Sequence, residues 1–409
     1  MKRILLISAS PYIQSSNTRY FNTLFSDEMY DNLFNLYTRD TIVKKPSCAL
    51  YYKICDKDLI KHQQGSFLDF SKEKVLSTVN TNSGKRYNKN KSNWIYYLRD
   101  KLWSSGRWRT DNLLKKLDEF SPEIILLNCS DYMYLGRIAL ILSERYSIKI
   151  VPIIVDNYLF TKRKSLLFKN YLLEYKRVYS TIIQDSPFSI FISDRILNKY
   201  QEHLKMNGVV FYTSSELTPQ TLDISFIKRS IKVITYLGSL SPKRYLTLEK
   251  ACKIAKQNGI LLRIFSSEKN KRIIKRIIKA GGSFEGEIDY CETIKTIKES
   301  DCLFFCEAFD HKTINSIADS FSTKIPDYIF SGKLIVCFAP EQIGSIEYLK
   351  NYRGCIIANS ETQLNDVFMR LSTGQYPFCD LSNQKNEHFI KNHLRKTNNE
   401  RFNDLIAKI

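Results

Sequence analysis

At 409 residues the chain is too long for one ordinary core, so two domains of roughly 200 residues are expected. A hydrophobic content of 43% with 13% aromatics excludes a disordered chain, and no apolar run reaches the ~18–20 residues a spanning helix needs. A formal net charge of +20 asks for an anionic partner, with nucleic acid, an anionic membrane face and a phosphorylated substrate all open at this point.

In chain order, KRILLIS opens as a buried strand, and its apolar run is too short and too early for a typical secretion signal, so a cytoplasmic protein is expected. EIILLN (123–128) and IKIVPIIV (148–155) read as further strands, and YMYLGRIALILSERYS between them repeats its apolar positions at three and four, as a helix does. FSIFIS (188–193) follows, and then FYTSSELTPQ (211–220) interrupts the apolar periodicity. A second series begins with the strand IKVITYLG, the helix LTLEKACKIAKQNG and the strand ILLRIFS. It continues through the helix KNKRIIKRIIKAGG and the strands SDCLFF and KLIVCFA, and 386–409 reads as a polar helix.

Strands alternating with helices predict parallel sheets covered on both faces. The expected domains are 1–210 and 211–385, both Rossmann-like and facing a cleft, with 386–409 packing back on the first. Open parallel sheets bind ligands at the C-terminal ends of their strands, so function belongs to strand-to-helix loops.

The ten cysteines form no CxxC pair and several sit in apolar runs, as buried free thiols of a reducing compartment do. The five histidines have no metal-ligand spacing, and neither metal nor cofactor is expected.

Two segments carry chemistry. In ITYLGSLSPKRYLTLEKACKIAK (234–256) a strand ends in Gly238, and Lys243 and Arg244 stand where the chain leaves the sheet, suited to a pyrophosphate. In DSFSTKIPDYIFSGKLIV (319–336) a helical body over 324–330 stops at Gly332 before a strand. Ser322 and Thr323 fall at the expected helix N-terminus, where free N–H groups suit a phosphate. Asp327 lies one turn in, either as a sugar-hydroxyl acceptor or as a solvated first-turn acid.

Together these segments resemble the glycosyltransferases of the GT-B fold, most closely family 4, the retaining group that builds bacterial surface polysaccharides. The family's strand ending Tyr-x-Gly, with a Lys or Arg five or six residues on, matches Tyr236-Leu237-Gly238 with Lys243 and Arg244. Its two acids with seven residues between, followed by a glycine and an apolar strand, match Asp319, Asp327, Gly332 and Leu334–Phe338. The resemblance is good over 230–360 and weak before it.

It implies that Asp327 binds the nucleotide ribose and Asp319 the donor sugar, with Lys243 and Arg244 on the diphosphate and Gly238, Ser322 and Thr323 adding contacts. It also implies a retaining enzyme without a protein nucleophile, moving a sugar from a nucleotide-diphosphate donor to a glycan or polyprenyl-linked acceptor. The chain departs from the pattern in having aspartates for the usual glutamates, and Ser239 where an arginine commonly follows the strand glycine.

Outside these segments, 81–110 holds eight Lys/Arg against one acid, with Trp94, Trp103 and Trp108. It reads either as contact with an anionic membrane surface or as tryptophans packed on a core beneath solvated cations. SASPYIQSSNTR is an acceptor loop or a plain polar loop, and Asp156 an acceptor-side residue or a turn aspartate. A polyanion- or nucleic-acid-binding protein and a GT-B-shaped epimerase are the alternatives, though no nucleic-acid module is recognisable and none is expected as partner.

Overall fold

The computed structural model describes residues 1–13, 19–43, 45–71, 93–160, 169–222, 229–375 and 387–409. They form two compact units, Met1–Thr213 with Arg395–Ile409, and Ser214–Leu394.

The first unit is built on β1 (Ile4–Ser8), β2 (Leu33–Tyr37), β3 (Leu50–Lys53), β4 (Ser66–Asp69), β5 (Ile124–Asn128), β6 (Lys149–Ile154), β7 (Ser189–Phe191) and β8 (Gly208–Val210). Their order is β4-β3-β2-β1-β5-β6-β7-β8, parallel except where β4 runs against β3. β1 and β2 are buried along their whole length, which is why both are mostly apolar rather than alternating. The one polar residue inside β2 is satisfied: Asn35 Nδ2 donates to the Leu6 carbonyl and to Ser8 Oγ, both at 3.0 Å, and its Oδ1 accepts from the Tyr12 N–H at 2.8 Å.

Trp103 and Trp108 lie in this unit's core, 1% and 2% exposed, so neither sits at a lipid surface. The Trp103 indole donates to Asp56 Oδ1 at 2.8 Å and stacks on Tyr134 with ring centroids 4.4 Å apart. Residues 81–92 and the Trp94 side chain lie outside the described residues.

The segment expected as one closing helix divides in two. Glu387–His393 belongs to the second unit and Arg395–Ala407 to the first, where Phe402 packs edge-on to Phe25 at 5.8 Å.

The second unit carries β9 (Val233–Leu237), β10 (Leu261–Phe265), β11 (Ser283–Gly286), β12 (Cys302–Cys306), β13 (Leu334–Phe338) and β14 (Cys355–Ala358). All pair in parallel, in the order β11-β10-β9-β12-β13-β14. This is the doubly wound arrangement, whose strand order reverses between β9 and β12, and ligands bind such sheets beyond the strand ends at that reversal. Helix Arg244–Gln257 seals one face with Leu248, Ala251, Cys252 and Ala255, beside Leu364, Phe368 and Leu371 of helix Glu361–Thr373.

The nine described cysteines are free, seven of them buried, and Cys379 lies outside the described residues. Among the described residues no helix is long and apolar enough to cross a membrane.

Candidate functional site

β9 runs out at Gly238, whose φ of +138° is open to glycine and strained for other residues. Five residues later the chain enters helix Arg244–Gln257 through Lys243, itself left-handed at φ 55°. This places Gly238, Lys243 and Arg244 at the C-terminal edge of the sheet, beside the residues that leave β12.

Both cations meet carboxylates there. Arg244 donates from Nε and Nη2 to the two oxygens of Glu307 at 2.6 and 2.7 Å, and from Nη1 to the Ser241 carbonyl. Glu307, the first residue after β12, is 5% exposed at its side chain against 19% for Arg244, so the pair is largely withdrawn from water. Its backbone carbonyl accepts from Thr247 Oγ1 at 2.9 Å, which fixes the strand end to the helix. Lys243 Nζ lies 2.9 Å from Asp310 Oδ1, the residue that caps helix His311–Ile317. Thr313, and after it Lys243, hold the Asp310 carboxyl down to about 2.

A third cation lies deeper. Lys324 runs across the front of Gly238, and a β-carbon on residue 238 would stand 2.8 Å from its Nζ and 3.2 Å from its Cδ. Its ammonium rests 4.6 Å from the centroid of the Tyr236 ring and 5.6 Å from that of Phe305. Among the described residues that Nζ has no hydrogen-bond partner, although it is sealed from solvent. Burial, then the Arg244 charge, pushes the ammonium down to about 8, against the pull of Glu307.

The acids of the second segment divide. Asp327 sits in helix Ile325–Phe330, 3% exposed, where its Oδ1 accepts from Ser215 Oγ at 2.6 Å. Asp319 is half-buried, after helix His311–Ile317. Ser322 and Thr323 precede the helix, which begins only at Ile325 and has six residues. The Ser322 N–H already donates to Ser345 Oγ at 3.0 Å, so the free helix N–H expected there is engaged within the unit. Gly332 ends the segment as expected, at φ +65°, where a β-carbon would collide with the Thr221 carbonyl oxygen.

In the first unit Asp156 forms a turn: its backbone carbonyl accepts from the Tyr158 N–H and its Oδ2 from the Tyr158 hydroxyl, both at 3.0 Å. Residues 14–18 of the expected acceptor loop lie outside the described residues. Among the described residues no three His, Cys, Asp or Glu side chains are grouped to share a metal ion.

Glu307, Asp310 and Lys324 are not among the site residues that the sequence pattern nominates. The available signals were the acids following the apolar run CLFFC, and a lysine one helical turn before Asp327.

No family model and no curated protein matches the chain. Solved structures do. HepE from Anabaena, in a complex with UDP and glucose, aligns over 100% of both chains with a TM-score of 0.59 at 11% identity. TarM aligns over 100% of this chain and 98% of its own, with a TM-score of 0.56 at 10% identity. Sucrose-phosphate synthase from Thermosynechococcus elongatus covers 99% and 95%, at 0.53 and 11%. With its two sheets of eight and six strands flanked by helices, the chain has the GT-B fold of these glycosyltransferases.

Proposed function

We propose that the protein is a retaining glycosyltransferase that takes a sugar from a nucleotide-diphosphate donor bound in the second unit. The observation that carries this reading is the group of cations at the reversal of the second sheet, where Gly238, Arg244 and Lys324 converge beyond β9 and β12. HepE, of the same fold, is seen with UDP and glucose.

In this reading Asp327 meets the ribose and Asp319 the donor sugar, as in the enzymes the sequence resembles. Cationic charge at the strand ends stabilises the diphosphate as it leaves, without a required metal. The leaving phosphate assists deprotonation of the acceptor, so the protein positions and neutralises rather than supplying a nucleophile. The acceptor is a glycan or a polyprenyl-linked glycan of envelope polysaccharide synthesis at the cytoplasmic face of the membrane.

The test is incubation with UDP-, GDP-, dTDP- and ADP-sugars and polyprenyl-diphosphate glycans, with release of nucleoside diphosphate followed and the product anomer assigned by NMR. Transfer with retained configuration supports the reading. An inverted product removes the retaining mechanism, and conversion of the donor to its epimer replaces the function with epimerisation.

A further inference from the structure

We infer that Lys324 is the residue that grips the donor's diphosphate, in place of the Lys243 and Arg244 side chains that the sequence pattern nominates. The inference rests on the nucleotide-sugar reading above and deepens it.

Arg244 spends Nε and Nη2 on both oxygens of Glu307, and Lys243 is paired with Asp310. Each of these cations is therefore answered within the chain. Lys324 is not: it joins a largely buried group of Arg244, Glu307 and itself, two positive charges against one negative. A buried excess charge is costly, and a fold keeps one where a ligand of opposite sign completes the set.

Geometry points the same way. The ammonium lies at the sheet reversal, where doubly wound folds receive ligands, and it abuts a glycine with no side chain to bar the approach of a phosphate. Tyr236 and Phe305 hold it by their ring faces, which leaves its three hydrogen-bond donors unspent. The residue as a whole is partly exposed, so a rotation of its flexible stem presents the ammonium to an arriving diphosphate.

The groups facing Lys324 are Arg244, Glu307, Cys306 and Cys337, with Tyr236 beneath it. Burial and Arg244 together bring its ammonium down to about 8, so its grip weakens as the pH rises beyond that value. A bound diphosphate, being anionic, restores the proton.

The experiment measures binding of UDP, GDP, dTDP and ADP, of the matching nucleosides, and of inorganic pyrophosphate, to the full chain and to Lys324→Met and Lys324→Arg. Melting temperatures establish that the variants fold. The inference expects Lys324→Met to weaken the diphosphate that binds, and pyrophosphate, by about tenfold or more while sparing the nucleoside. Lys324→Arg should keep most of the affinity and lose the decline above pH 8.

Unchanged diphosphate binding in folded Lys324→Met, or an equal loss for nucleoside and diphosphate, overturns the inference and leaves the glycosyltransferase reading standing. Lys324-dependent binding of pyrophosphate without binding of any nucleotide removes that reading and upholds the anion site. Binding of neither removes both.

Discussion

Lys324 occupies the space in front of Gly238 that a side chain at 238 would need, its Nζ 2.8 Å from the position of the missing β-carbon. Gly238→Ala therefore meets two obstacles, a φ of +138° and the lysine itself. The expected result is a loss of about 2 kcal/mol in urea denaturation, together with weakened binding of nucleoside diphosphate. A variant as stable as the parent would mean that Lys324 is not held where it is described.

Lys324 also sets a pH dependence. Its folded pKa of about 8 lies below the ordinary 10.5, so between these values the unfolded chain binds more protons than the folded one. Stability of the ligand-free protein should rise with pH across that window, by about 3 kcal/mol in total, because the folded state is relieved of a buried charge. In Lys324→Met this rise should be absent, and the variant should be more stable than the parent at pH 7. Chemical denaturation at pH 7, 8.5 and 10 decides it.

The Arg244–Glu307 pair is predicted to matter through what its loss leaves behind. Glu307→Ala strands Arg244 and Lys324 together and should cost about 3–5 kcal/mol. Arg244→Met combined with Glu307→Leu removes both charges and should recover much of that loss. A double-mutant cycle that finds the two effects additive would contradict the pairing.

Asp327 and Ser215 provide a separable test. Ser215→Ala removes the hydroxyl 2.6 Å from a carboxylate that is 3% exposed, and should cost about 1–2 kcal/mol of stability. Asp327→Ala should weaken the nucleoside as well as the nucleoside diphosphate, whereas Lys324→Met should affect the diphosphate alone. Calorimetric titration of both ligands into both variants separates the ribose contact from the phosphate contact.

Much of the sheet framework is legible because strands buried on both faces read as apolar runs, as in β12 and β13 throughout and in β1 and β5 up to their last residue. β2, β3, β4, β8, β11 and β14 are not among the strands that the apolar pattern predicts. β2 carries Asn35, whose partners lie 23 to 29 residues away, and β3 is the four-residue LYYK. Spacing also placed Gly238, Lys243 and Arg244 at a strand end and stopped a helix at Gly332. It did not reveal that Glu307, 63 residues on, claims Arg244, or that Lys324 folds back over Gly238. Pairings over such separations follow from strand order, which no local pattern encodes. Trp103 shows the same limit, since it is polar-partnered core through Asp56 rather than a lipid-facing aromatic.

The most direct measurement is a calorimetric titration of the full chain with UDP, GDP, dTDP, CMP and ADP in the presence of EDTA. The expected result is selective binding of one nucleoside diphosphate, unaltered by the chelator and weakened in Lys324→Met. Binding of none of these, with short RNA or anionic vesicles binding instead, would contradict the nucleotide-sugar site and leave the +20 charge to be explained by a polyanion partner.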